Sequence, residues 1–336
     1  MSKPRIASFD ALKCFAIFCV ILGHTIQYYY PNYSYETYKN NFLFSLIYSF
    51  HMPLFAIISG MFASSSFDLT PGNFIKKKSI NLLLPSFSWA IFGIFISILD
   101  NGGSRSIFEI ATKHLVFGFW FLKCLFICFV IAYATKRITQ TSKILFFSIS
   151  LFISFVSDQY YVTFLCPFFI SGIILSDFIT TFREKCNHVI IFSGIFYLLL
   201  LINWNSNYLI YCSQPYTLMS FLHNEQYFIS RTLIYLYRFL IGLTGSIFII
   251  SLFLKIKDCH SIFKTIGKYT IGIYCIQAWV IETILPRFIH FDNVPDIIFT
   301  VIVAPLFSGI TLLLFTFILD RMAKYPLLAK YFLGRQ

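Results

Sequence analysis

FDALKCFAIFCVILGHTIQYYY, Phe9 to Tyr30, is the stretch on which the reading of this chain turns. It is long and apolar enough to cross a bilayer as a helix, yet it carries Asp10, Lys13 and His24. Ionisable groups inside a spanning segment are costly to keep there, which makes them functional candidates by default. They also share a face. The eleven-residue step from Lys13 to His24, at about 100° per residue, is three full turns plus about 20°, with a rise of roughly 16 Å. Asp10 falls within about 60° of the same stripe. A lysine side chain does not span that rise, so Lys13 and His24 mark two levels of one polar track.

Composition settles the solvent. Of 336 residues, 58% are hydrophobic and 12% charged, and mean hydropathy is +0.76, which excludes a water-soluble domain and describes a polytopic, all-α membrane protein. The apolar segments are roughly 7–29, 42–63, 80–99, 115–135, 143–157, 160–179, 188–204, 233–254, 266–286 and 297–319, about ten candidate spans, the fifth the weakest. With the N-terminus inside, eighteen Lys and Arg collect in cytoplasmic connections and five outside, a positive-inside bias that also places the C-terminus in the cytoplasm. The net charge of +12 therefore reports topology and contact with anionic lipid, and implies no nucleic-acid partner. Asp10 and Lys13 interrupt the first apolar run, so it reads as a retained signal anchor and not a cleaved signal peptide. No internal repeat or soluble domain is visible, and residues 1–336 read as a single membrane domain.

Six of the nine cysteines lie in spans, where buried packing is the expected role, and Cys212 faces out alone. No His/Cys cluster has zinc spacing, so no metal is expected. The longest outer connection, Asn205 to Thr232, carries Tyr208, Tyr211, Tyr216, His223, Glu225 and Tyr227, which suits either a sugar acceptor or an interfacial aromatic belt.

The second span reads FHMPLFAIISG, Phe50 to Gly60. Pro53 removes a donor and predicts a kink or break near His51, and Ser59-Gly60 predicts close approach of another helix. His51 alone suits a histidine satisfied by a backbone carbonyl; two histidines in adjacent spans point to a shared polar cavity. The run Lys76-Lys77-Lys78 is either a positive-inside anchor or a clamp for a phosphorylated ligand. Trp120-Phe121-Leu122 reads as packing or interface anchoring, and Lys123 calls for a cavity or an acidic partner. Arg238 and Glu282 read first as structural partners of each other or of Lys123. Gln277 adds a neutral donor and acceptor at depth.

Taken in order, these residues resemble the integral-membrane acyltransferases of the third acyltransferase family, especially its bacterial sugar O-acetyltransferases. The resemblance rests on Asp10-Ala11-Leu12-Lys13 with His24, on Phe50 to Phe55 with Ser59-Gly60, and on the basic run leading into Leu82, Leu83 and Pro85. Weaker echoes are Trp120-Phe121-Leu122, and Gly267-Lys268-Tyr269 with Ile273-Tyr274.

The resemblance implies transfer of an acyl group, usually acetyl, from cytoplasmic acyl-coenzyme A to a hydroxyl of a cell-surface glycan or lipid-linked sugar at the bacterial inner membrane. The donor is a substrate, and no permanent cofactor is implied. His24 matches the family's essential histidine, and Lys13 stands where many members have arginine. Lys78 and Asn81 fall on a pair of family arginines, Asn81 being a departure that Lys76 and Lys77 offset, and Gln277 stands where a histidine is common. The chemistry agrees with the assignment. A hydroxyl is a poor nucleophile, and a neutral imidazole within reach serves as its base. His24 is expected to be that base with His51 assisting, while Lys13, Lys76, Lys77, Lys78 and Asn81 hold the coenzyme. The rival classes are a transporter or flippase for a glycan intermediate, which also uses kinked helices and a polar track, and a non-catalytic assembly scaffold.

Overall fold

The computed structural model describes residues 7–30, 38–100, 106–139, 142–156, 159–209 and 228–334. Tyr211, Tyr216, His223, Glu225 and Tyr227 of the outer connection, and Cys212, lie outside these residues. The described residues are helical and contain no strand. In chain order the helices are α1 (Ala7–Tyr29), α2 (Phe42–Met61), α3 (Pro71–Lys78), α4 (Leu84–Asp100), α5 (Ile107–Thr112), α6 (Trp120–Thr139), α7 (Lys143–Ser154) and α8 (Val162–Ser176). There follow α9 (Ile179–Glu184), α10 (Cys186–Leu201), α11 (Phe228–Leu254), α12 (Ser261–Trp279), α13 (Asp296–Ile298), α14 (Ala304–Met322) and α15 (Pro326–Leu333). Single π-helical turns at Ser79–Leu83, Lys113–Phe117, Val280–Ile284 and Phe299–Val303 join several of them.

Helix occupies every one of the ten apolar stretches, but length and composition qualify fewer as spans. Among the described residues, six continuous helical segments are long and apolar enough to cross a membrane, and a seventh results if 107–117 and 120–139, bent by 47°, count as one. The chain is thus an all-α, multi-pass membrane protein. The helices that do not qualify are short or polar. Helix α7 has 12 residues and α10 has 16, about 18 and 24 Å at 1.5 Å per residue against a hydrocarbon core of about 30 Å. Helix α12 carries Lys264, Lys268 and Gln277 on its sequence and is not among the six.

The polar first span sits at the centre. In α1, 78% of the spanning window is buried, against 33% for α11 and for the segment containing α14. Helix α1 packs against α2, α11, α12 and α14. The Ser308 hydroxyl of α14 donates to Thr25 at 3.0 Å, and the Tyr29 hydroxyl donates to the Ile281 carbonyl at 3.0 Å. Helix α2 starts where Asn41 caps it, its side-chain oxygen accepting from the Leu43 and Phe44 amides. It then runs through Pro53 without the expected break. Packing holds it: a Cβ at Gly60 would collide with the Phe169 carbonyl of α8, and one at Gly172 with the Ile57 carbonyl of α2. Those two helices meet backbone to backbone, the close approach that Ser59-Gly60 predicts.

Pro85 follows the π-turn. Lacking an N–H, it leaves the Asn81 carbonyl without its helical donor, and the extra residue of a π-turn relieves the clash with the preceding turn. A second break lies at Gly118-Phe119, where Phe119 has a φ of 52°, costly for an aromatic residue. Lys123 secures this break. Its ammonium donates to the carbonyls of Leu115, Val116 and Gly118, so it caps a helix end and takes no acidic partner. The cysteines resolved within α1, α6, α8 and α12 are free and buried, as expected for packing.

Candidate active site

Helices α1 and α12 lie side by side, and this contact makes the site. His24 of α1 lies with Nδ1 3.3 Å from Oε1 of Glu282, on the π-turn that ends α12. The same carboxylate accepts from Gln277 Nε2 at Oε1 and from the Tyr28 hydroxyl at Oε2, both at 3.2 Å. Tyr28 is one turn beyond His24 on α1, and their rings stack with centroids 6.2 Å apart. Glu282 therefore pairs with neither Arg238 nor Lys123. It lies within ion-pair distance of the imidazole without the alignment of a hydrogen bond, and the Gln277 amide helps hold it in place. The His24 and Glu282 side chains retain 20% and 23% of their exposure, so the pair is reachable from within the bundle.

Below this cluster a cavity of about 380 Å³ opens between α1, α2, α6, α12 and the α3–α4 turn. Lys13, Ile17 and Val20 form its α1 wall, the stripe at helical spacing that leads to His24 one turn, about 6 Å, above Val20. Met52 and Phe55 face it from α2, Phe121 and Leu125 from α6, and Tyr274 from α12. Phe121 meets both Phe55 and Tyr274 edge-on, at 6.0 and 5.9 Å, and closes the aromatic side of the passage. Trp120-Phe121-Leu122 thus serves packing, as expected, and the packing shapes the cavity.

The cationic residues collect at the lower end. Lys13 Nζ lies 4.6 Å from the Phe62 ring centroid and Lys78 Nζ 3.5 Å from that of Phe129. Asn81 also lines the cavity. In the orientation that turns its amide nitrogen toward carbonyls, it donates to Gly334 and Lys77 at 3.2 Å, tying the C-terminal α15 to the π-turn. Lys76 and Lys77 are exposed on α3 and do not line the cavity. Lys13, Lys78 and Asn81 are thus brought together, with Lys76 and Lys77 outside the wall.

His51 is placed differently. Its Nδ1 donates to the Ile47 carbonyl at 2.8 Å, the bland partner expected of a lone histidine, and its ring lies 4.5 Å from that of Tyr48. This bond leaves Nε2 as the free ring nitrogen. His51 lines a small pocket with Trp204, Tyr208 and Arg238, divided from the cavity of Lys13 by Met52, which lines both. The guanidinium of Arg238 lies 4.4 Å from the Phe164 ring centroid.

Glu282, Tyr28 and Gln277 are the members that a reading of the sequence does not assemble. Tyr28 carries a signal, since it stands four residues from His24 on the same face. For Glu282 the only signal is a carboxylate at membrane depth, which does not name its partner.

Comparison with known proteins decides the family. The model of a family described as "Acyltransferase domain" matches residues 6–321. The chain belongs to that family. That membership agrees with the resemblance carried by the motifs around Lys13, His24 and Phe50 to Gly60. Among curated relatives, the Nodulation protein NolL of Mesorhizobium japonicum is 29% identical over 137 residues, 39% of this chain and 36% of that protein. The Nodulation protein NolL of Sinorhizobium fredii is 26% identical over 155 residues, 42% of this chain and 40% of that protein. The matched stretch thus spans well under half the length of either relative. No solved structure matches the chain significantly.

Proposed function

We propose that this acyltransferase is an O-acetyltransferase of the bacterial cytoplasmic membrane. In this reading it moves the acetyl group of cytoplasmic acetyl-coenzyme A to a hydroxyl of a cell-surface glycan or lipid-linked sugar. One observation carries the reading: an imidazole backed by a carboxylate stands one helical turn above an apolar cavity whose lower end is cationic.

The phosphates of the donor suit the lower end, where Lys13 and Lys78 face the cavity and Asn81 offers an amide, with Lys76 and Lys77 exposed on the helix that ends in Lys78. The apolar arm of the donor suits the wall of Ile17, Val20, Phe55 and Leu125, which carries the thioester up to His24. Glu282 faces Nδ1 and thereby leaves Nε2 of His24 as the base. Nε2 takes the proton of the acceptor hydroxyl as its oxygen attacks the thioester carbonyl. The C–S bond then breaks, and the leaving thiolate takes the proton back from the imidazolium. The ester and the free thiol of coenzyme A result. Such a base contributes roughly 10²- to 10⁴-fold. Glu282 stabilises the transient imidazolium, and Tyr28 and Gln277 orient the carboxylate. His51, with Nδ1 committed to Ile47, keeps Nε2 free to assist the acceptor from the adjoining small pocket.

The test is transfer of radiolabelled acetyl from acetyl-coenzyme A into the glycan fraction of membranes carrying the native protein or His24→Ala at matched abundance. Label with the native protein and none with the variant is the expected result. Equal label with both removes His24 from the chemistry.

A further inference from the structure

A second and larger cavity, about 1010 Å³, opens at the basic end of the bundle on another side of α1. It is formed by the start of α1, the α9–α10 junction, the end of α11 with the turn after it, and Lys264 of α12. Five cationic side chains face it, Arg183, Lys185, Lys255, Lys257 and Lys264, against the carboxylates of Asp10, Glu184 and Asp258. Lys264 is spent on Asp258, 3.0 Å away, and that hydrogen bond holds the Asp258 carboxyl below the usual carboxylate range. The side chains of Arg183, Lys185, Lys255 and Lys257 form no ion pair or hydrogen bond among the described residues.

Two further features say what such a cavity holds. The first is the start of α10, whose Cys186, Asn187 and His188 lie in the cavity wall and which no described side chain caps. Free amides at a helix start add positive potential and hydrogen-bond donors suited to phosphate. The second is what α10 does next. One turn beyond Asn187 and His188 stand Ile191 and Phe192, 56% and 72% exposed, and the same faces continue through Ile195, 54% exposed. A cationic pocket therefore runs directly into an apolar stripe facing outward. A soluble phosphate would use only the pocket; a ligand with a phosphate head and hydrocarbon tails uses both.

We infer that this cavity is a binding site for the phosphate headgroup of an anionic phospholipid of the cytoplasmic leaflet, with its acyl chains lying along α10. The site is separate from the donor cavity and does not rest on the proposed acetyl transfer. Basic pockets between helices at that leaflet are suited to such headgroups.

The experiment is equilibrium binding of radiolabelled phosphatidylglycerol to the full-length, delipidated protein in detergent micelles, with phosphatidylcholine and inorganic pyrophosphate as competitors. The expected result is saturable binding of one phosphatidylglycerol that neither competitor displaces at equal concentration. The double variant Arg183→Gln/Lys257→Gln should bind about 25-fold more weakly, from about fivefold per cation removed at a membrane surface. The conservative pair Arg183→Lys/Lys257→Arg keeps binding if charge is what matters and confirms that substitution there leaves the fold intact. Lys324→Gln/Lys330→Gln, exposed at the same end of the bundle but outside the cavity, leaves binding unchanged. Equal binding by native protein and the Gln pair overturns the site. Displacement by pyrophosphate as effective as by unlabelled phosphatidylglycerol overturns the lipid and identifies a soluble phosphate ligand instead.

Discussion

Replacing Glu282 by Gln keeps size and shape and removes the charge that faces His24, so it isolates what the carboxylate contributes. At the observed 3.3 Å, a full charge pair at an effective dielectric of 20 interacts by roughly 5 kcal/mol. The glutamine retains a carbonyl dipole toward Nδ1, and both side chains are about a fifth exposed. The net loss is therefore about half, roughly 2–3 kcal/mol of transition-state stabilisation, or a 30- to 150-fold fall in kcat. The charge matters only while His24 is protonated, during transfer, so KM for acetyl-coenzyme A should hardly move. Initial rates at saturating donor, in membranes with matched protein, measure the effect. A Glu282→Gln protein within threefold of native kcat would refute the argument that the pair acts during chemistry.

Other consequences follow from the same geometry. Lys78→Gln removes a cation from the lower cavity and should raise KM for acetyl-coenzyme A about tenfold with kcat little changed, read from donor saturation curves. Leu125→Ala opens the cavity wall without touching the polar groups, so the ratio of butyryl to acetyl transfer should rise severalfold in competition assays. Gly172→Leu cannot be accommodated against the Ile57 carbonyl and should abolish accumulation of folded protein, seen as loss of the monodisperse peak in detergent. Gln277→Leu leaves one bond fewer to Glu282 and should cost less than Glu282→Gln, about three- to tenfold in kcat by the same rate assay.

Which parts of this molecule were legible beforehand depends on the range of the forces involved. The apolar runs fix helices locally, and α1 announces its central place because a helix with Asp10, Lys13 and His24 is stable only when wrapped by others. Gly60 announces close packing because a helix presenting glycine lets a neighbouring backbone approach, although Phe169 as the neighbour does not follow from it. Lys13, Lys78 and Asn81 line one cavity, though nothing local in the sequence brings them together. The partner of Glu282 was not legible. It is 258 positions from His24, and only the lateral contact of α1 with α12 selects it over Lys123 and Arg238. Lys123 misled for a related reason. Its acceptors are carbonyls freed at the Gly118-Phe119 break, and a break with a positive φ at phenylalanine has no signature in hydropathy. Apolar runs such as 143–157 mark burial in lipid or in protein without giving helix length, so only six or seven of the described helical segments meet the length and composition of a span.

The central claim is that a donor thioester rises through the Lys13–Val20 cavity to His24. Bromoacetyl-coenzyme A tests it directly, because its α-carbon sits beside the thioester carbonyl and alkylates the nearest nucleophile with loss of bromide. Mass spectrometry of the labelled, purified protein should find the adduct on His24, with labelling suppressed by excess coenzyme A. An adduct confined to residues outside this cavity, or labelling that coenzyme A does not suppress, would contradict the account.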